Sequence, residues 1–165
     1  MPDKETIKRA EQDRKQGKSP STQAGEFVRE EMHHIREGKH GAASPEQAIA
    51  IGLSKARRAG VPLKAPEPGT TSKETREHAI HDVEAGEHPH KPSASRSRAT
   101  RAALKHKPRA AASHKALGRH AHKAAMRHTA SERSEAARKA VRTKGPAKRS
   151  AAARKAARTR ARHSR

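Results

Sequence analysis

The sequence predicts a mainly α-helical protein: a small helical hairpin at about residues 22–60, further short helices, and a largely disordered or conditionally helical basic tail. Three observations carry that expectation. Helix-start and helix-stop residues bracket two amphipathic stretches within the first sixty residues. Hydrophobic residues make up 30% of the chain, with Phe27 the one aromatic, against ~45–50% apolar residues in an ordinary folded domain. The last third, from Ser131 to Arg165, is almost wholly alanine, arginine, lysine and small polar residues. Low hydrophobicity with a net charge of +22 leaves little burial to offset ordering entropy, so most helices are expected to be exposed.

Residues 1–20 read as a polar N-terminal segment. Over 3–18 Ile7 is the one large apolar residue. Early Asp3 and Glu5 and late Lys15 and Lys18 suit a helix dipole, giving a marginal helix or a frayed tail. Residues 21–60 carry the hairpin. Ser19-Pro20 breaks the chain, and Ser21 or Thr22 caps the next helix. Ala24, Val28, Met32 and Ile35 then recur at helical spacing, with Phe27 beside them. Gly38 and Gly41 bracket the end of that helix.

Ser44-Pro45-Glu46-Gln47 is the clearest local signal. Serine caps, proline takes the first helical position, and glutamine three residues on completes a capping box. Ala48, Ile49, Gly52, Leu53 and Ala56 form one apolar stripe, ended by Gly60 before Pro62. Two short helices so joined pair antiparallel, and Gly52 permits close approach. This hairpin is the one place where a core is expected. A piece so small is marginal alone, which suggests self-association through residues 22–60.

The stretches STQAGEFVREEMHHIREGKHG (21–41) and SPEQAIAIGLSKARRAG (44–60) resemble a family of short bacterial proteins of unknown function, often labelled DNA-binding. The resemblance covers most of the chain and is most specific in the hairpin. It implies a nucleic-acid partner.

Residues 61–92 read as a linker holding one short helix. The prolines and glycine of 61–70 favour extended chain. Residues 71–85 form a helix capped by Thr71 or Ser72 and closed by Gly86. His88-Pro89-His90-Lys91-Pro92 is a second linker. Residues 93–165 form the basic tail, in which alanine-rich cationic segments run roughly 96–107, 109–128, 132–143 and 147–162. Pro108, Thr129-Ala130-Ser131 and Gly145-Pro146 separate them. The tail contains a sixteen-residue repeat: Arg133 to Thr143 returns as Arg149 to Thr159, differing only at Glu135/Ala151 and Val141/Ala157.

Charge placement points to a partner. Residues 1–90 hold 15 Lys/Arg and 15 Asp/Glu, whereas residues 91–165 hold 24 Lys/Arg and only two acids, Glu132 and Glu135. The whole excess of +22 therefore lies in the second half, as expected of a basic arm on an acidic surface. In composition this tail is similar to linker-histone tails and to the Ala/Lys-rich arms of histone-like bacterial proteins. The candidate phosphate-binding residues are Arg133, Arg138, Lys139 and Arg142 in the first copy and Arg149, Arg154, Lys155 and Arg158 in the second. Lys144 and Lys148 lie between the copies, and Arg160 and Arg162 beyond them.

Base readout is expected to be poor. The chain contains no asparagine, and residues 91–165 contain no glutamine, so the usual adenine contact is missing there. Without Trp or Tyr there are no stacking platforms for single strands. The expectation is non-sequence-specific binding of double-stranded DNA by a nucleoid-associated, histone-like protein. The alternatives are a structured-RNA or ribosome binder, and a hydrophilic stress-protection protein whose charge shields other macromolecules.

Other constellations are weaker. Thirteen histidines include His33, His34 and His40 near the hairpin turn, His78 and His81 on one helix face, His88 and His90 beside a proline, and His120, His122 and His128 in the tail. None has the ligand spacing of a zinc site. They read as surface residues that gain charge as pH falls, with at most weak adventitious nickel, copper or zinc binding, and no cofactor is expected. Gly52-Leu53-Ser54 has a faint helix-turn-helix flavour, better explained by one continuous helix. Lys55, Arg57 and Arg58 serve either phosphate contact or dipole compensation. Glu30-Glu31 and Glu74/Glu77 lie among basic neighbours on exposed faces and read as surface pairs. No phosphate loop, dinucleotide fingerprint or nucleophile elbow occurs, so the chain reads as a non-enzyme. It has no cysteine, no apolar leader, and no apolar run longer than Ala48–Leu53, which points to a cytoplasmic protein without a membrane partner.

Overall fold

The structure, a computed structural model, describes residues 2–88 and 93–163. The described residues form helices and connecting chain, with no strand among them. One compact unit runs to His120 and a second begins at Ala121.

The hairpin of α2 (Pro20–Arg36) and α3 (Pro45–Arg58) is the centre of the first unit. α2 begins two residues earlier than expected. Ser19 is its cap, accepting from the Thr22 amide at 3.4 Å, and Pro20 occupies the first helical position. The Ser19-Pro20 pair thus starts the helix rather than breaking the chain, because proline's missing amide costs nothing there. In α3, Ser44 Oγ accepts from the Gln47 amide at 3.2 Å, and Gln47 Oε1 accepts from the Ala43 amide at 2.7 Å. The box therefore closes one residue outside the cap. Gly52 lies directly on α2: a Cβ there would stand 2.7 Å from Val28 Cα.

The core reaches beyond the hairpin. α1 (Lys4–Lys15) packs on α2, and α4 (Lys73–Glu87) packs on α3. Ile7 and Ala10 of α1 join Ala24, Phe27 and Ala56, with Leu53, Val61 and Leu63 beside them. α1 is accordingly neither frayed nor marginal. Thr6 is fully buried, and Arg9 pairs with Glu26 at 2.6 Å. Residues 61–67 have no regular structure, as expected, yet Val61 and Leu63 close one end of the core. α4 is capped by Ser72, and Gly86 lies inside its last turn instead of ending it. The glycine is needed for packing, since a Cβ would collide with the Arg57 carbonyl. Of the second linker, Pro89 to Pro92 lie outside the described residues.

The other end of the core draws on residues read as tail. After α5 (Ala94–Lys105), a short 3-10 turn η1 (Arg109–Ala112) buries Ala111 and Ala112 against Met32, Ile35, Ala42 and Ala48. The backbone is tied down on both sides. Gly41 N donates to Leu104 O at 2.9 Å, Ala42 N to Pro108 O at 3.1 Å, and Arg36 Nε to Ala112 O at 2.8 Å. A side chain at Gly41 would strike the Lys107 carbonyl, so this glycine serves close approach more than helix termination. The expected continuous segment 109–128 is thereby divided into η1 and α6 (His114–Met126).

The expected disorder of the tail is not what the structure gives. Residues from Ala130 to His163 are helical (α7) apart from Gly145, whose φ of 67° and ψ of 169° break the rod before Pro146. Alanine's helix propensity and a well-formed N-terminal cap favour this form.

Candidate nucleic-acid interface

α7 is built for exposure. Thr129 and Glu132 make a reciprocal capping box at its start. The Thr129 amide donates to Glu132 Oε2 at 2.7 Å, and the Glu132 amide donates to Thr129 Oγ1 at 3.2 Å. Hydrogen bonds from the Thr129 amide and hydroxyl hold the Glu132 carboxyl below its ordinary range. The Thr-x-x-Glu pattern was legible in the sequence, although those residues read there as a break. Arg133 donates to the His128 carbonyl, closing the same turn.

The two copies of the repeat fall on the two rods, 130–144 and 146–163, with Gly145 as the joint. Equivalent residues do equivalent things. Thr143 Oγ1 donates back to Lys139 O at 2.9 Å, and Thr159 Oγ1 donates to Lys155 O at 3.0 Å. All twelve candidate cations lie on these rods and all are exposed. At 3.6 residues per turn their spacing spreads them around each rod instead of along one stripe, and α7 has no apolar face. Twelve Lys/Arg against Glu132 and Glu135 leave a net +10 over ~50 Å of helix at ~1.5 Å per residue, or one charge per ~5 Å.

The cations at the end of α3 are committed elsewhere. Lys55 Nζ pairs with Glu31 Oε2 at 2.7 Å, and Arg58 Nε with Asp82 Oδ1 at 2.6 Å. Arg57 is buried and donates to Leu63 O and Lys64 O, and desolvation lowers its pKa. Neither phosphate contact nor simple dipole compensation describes these three. α3 also runs unbroken through Gly52-Leu53-Ser54, as one helix should.

The histidines do not all match the surface reading. His33, His78 and His81 are exposed, but the side chains of His34 and His40 are only 13% and 17% exposed. His120 Nδ1 stands 2.9 Å from Glu46 Oε1. Hydrogen bonds from its own backbone amide, then from His120 and Ser44, hold Glu46 at a pKa of about 2. Among the described residues, no helix is long and apolar enough to cross a membrane. Comparison of the chain with protein-family models, with curated proteins and with solved structures finds no match.

Proposed function

We propose that the protein binds double-stranded nucleic acid, DNA before RNA, through the two cationic rods of α7, reading phosphates and not bases. The observation that carries this reading is the distribution of cations around each rod. A helix charged along one stripe suits one phosphate strand. A helix charged all round suits a groove, with phosphates on both walls, and the DNA major groove admits an α-helix. Arginine forks give bidentate phosphate contacts. The Gly145 joint lets the second rod change direction along a duplex. Such a protein would associate with the nucleoid.

In this reading the rods, already helical, are stabilised further by phosphate. Arg138/Arg142, Arg154/Arg158 and Arg158/Arg162 set like charges four residues apart, each pair costing ~0.2–0.5 kcal/mol. Phosphates cancel that repulsion, so helix content in 130–163 rises on binding. Far-UV circular dichroism during a duplex titration tests it, and an unchanged spectrum at saturation counts against it.

Affinity should follow counterion release. With about ten phosphates neutralised, log K falls against log salt with a slope of ~−9. A variant with Arg138, Lys139, Arg142, Arg154, Lys155 and Arg158 changed to alanine should reduce that slope by about 5, equally for unrelated duplex sequences. A slope unchanged by the six substitutions would refute the assignment to α7.

A further inference from the structure

Beneath the hairpin turn the fold gathers groups that are scattered in sequence. Glu30, Glu31 and His34 project from α2, His40 follows the turn at Gly38, Lys55 comes from α3, and Asp3 precedes α1. Ligand atoms of Glu31, His34 and His40 all lie within 4.8 Å of one another. Glu30 is 5% exposed and Glu31 not at all. Each glutamate has one satisfied oxygen: Glu30 Oε2 accepts from the Asp3 amide at 3.1 Å, and Glu31 Oε2 from Lys55 Nζ at 2.7 Å. The other oxygen of each, Oε1, is buried and accepts no hydrogen bond. A buried carboxylate oxygen without a hydrogen bond is costly, and here there are two, each with an ion-pair contact instead, to His40 or to Lys55.

The imidazoles face these oxygens with defined nitrogens. His40 Nδ1 lies 3.1 Å from the Gly41 carbonyl, and His34 Nε2 lies 3.2 Å from Asp3 Oδ2. Both partners can only accept, so both ring nitrogens carry the proton. In each neutral ring the remaining nitrogen is a bare lone pair. His40 Nε2 then stands 3.2 Å from Glu31 Oε1, and His34 Nδ1 stands 3.9 Å from Glu30 Oε1. With the rings neutral, lone pairs converge on carboxylate oxygens that accept no hydrogen bond, an arrangement that a cation between them would satisfy. Lys55 does not fill that place, because it is spent on the far oxygen of Glu31 and stands 3.6 Å from Glu30 Oε1.

We propose that Glu31, His34 and His40 form a site for a borderline divalent transition metal, of which Zn2+ is the physiological example, with Glu30 Oε1 or water completing the shell. Two imidazoles and a carboxylate are a usual zinc donor set. Bonds of ~2.0–2.1 Å at tetrahedral angles place donor atoms ~3.3 Å apart, which the Glu31–His40 pair already meets. The three donor groups, within 4.8 Å of one another, can close to that spacing by side-chain rotation. Charge also suits a dication: the carboxylates of Asp3, Glu30 and Glu31 less Lys55 leave −2 before the imidazoles are counted. Asp3, the Gly41 carbonyl and Lys55 are the outer groups that orient the ligands. A groove of about 230 Å³, lined by Asp3, Thr6, Glu30, His33, His34 and Lys39, reaches the His34 side of the cluster; Glu31 and His40 do not line it. The ion would tie the N-terminal segment, α2 and the turn after it to one point.

The test is Zn2+ titration into the full chain. We expect one equivalent bound at least tenfold more tightly than by a His34→Ala/His40→Ala variant. At a hundredfold excess over Kd, Zn2+ should raise the thermal midpoint by roughly 5–10 °C. A His78→Ala/His81→Ala control, altering an exposed pair on α4, should keep both effects. Equally tight binding by the His34/His40 variant, or no midpoint rise in the unaltered protein, overturns the proposal. Imidazole 15N spectra of the unaltered protein give a readout independent of any variant. Zn2+ should shift His40 Nε2 and His34 Nδ1 from bare-nitrogen positions, whereas rings that stay protonated on both nitrogens with Zn2+ present overturn it.

Discussion

Gly25 and Gly52 are both mid-helix glycines, and their neighbours make them opposite cases. Nothing lies within 4 Å of a Cβ at Gly25, which is exposed on α2. Gly25→Ala should therefore stabilise by ~0.5–1 kcal/mol, the ordinary gain in helix propensity. At Gly52 the same change meets Val28 backbone at 2.7 Å. Overpacking of ~1–3 kcal/mol outweighs the propensity gain, so Gly52→Ala should destabilise. Urea unfolding of the two variants checks the contrast. Glu46 offers a test in pH. Its folded pKa of about 2 lies below the ordinary 4.5. The stabilisation from its hydrogen bonds is thus complete above pH 4.5 and is lost as pH falls through about 2. A carboxyl 13C titration should find that depressed midpoint, and His120→Ala should move it upward. Ser44, Pro45 and Gln47 revealed their roles in sequence because capping is a local contract among four residues. The buried pairing of Glu31 was not readable, since its partners Lys55 and His40 come from elsewhere in the chain.

At the scale of elements, α7 depends on its ends more than on its faces, since no apolar face packs. Thr129→Ala removes the hydroxyl that accepts from the Glu132 amide and should cost the first turn ~1 kcal/mol. Amide exchange of residues 130–133 should speed up by about fivefold, that free energy in rate terms, with residues 150–160 unchanged. The Gly145 joint adopts a φ/ψ combination nearly confined to glycine, and the residue before a proline is also kept out of the helical region. Gly145→Ala should thus redirect the joint without fusing the rods. Spin labels at Ala137 and Ala153 should report a changed distance distribution. Periodicity showed α2 and α3 because Val28, Met32, Ile35, Ile49 and Leu53 are large enough to mark a stripe. It could not show η1. Three alanines after Pro108 look the same whether they coat a tail or fill a core, and only Met32, Ile35, Ala42 and Ala48 across the fold make Ala111 and Ala112 internal.

For the whole molecule, small residues explain how so hydrophilic a chain keeps a core at all. Among the described residues, eight of the eleven buried apolar side chains are alanine, and Phe27, Met32 and Ile35 are the large ones. Helices touching through alanine and glycine approach closely, so little apolar mass suffices. The same economy makes the fold vulnerable. Ile35→Ala should cost ~2–5 kcal/mol, a large share of a total near ~5–15 kcal/mol, and should be visible as a strongly lowered thermal midpoint. The six-alanine variant of α7 touches none of this core. It should leave the midpoint of the first unit unchanged while weakening duplex binding, which separates stability from the proposed function. Helical class, hairpin, the Ser44 cap and charge asymmetry were determined by the sequence itself, because each depends on neighbours within a few turns or on composition. Tertiary structure alone decided that α1 and η1 complete the core, that Lys55, Arg57 and Arg58 serve the fold, and that Glu31, His34 and His40 meet. Those outcomes rest on long-range closure, where residues without a pattern of their own are defined by what the backbone brings against them.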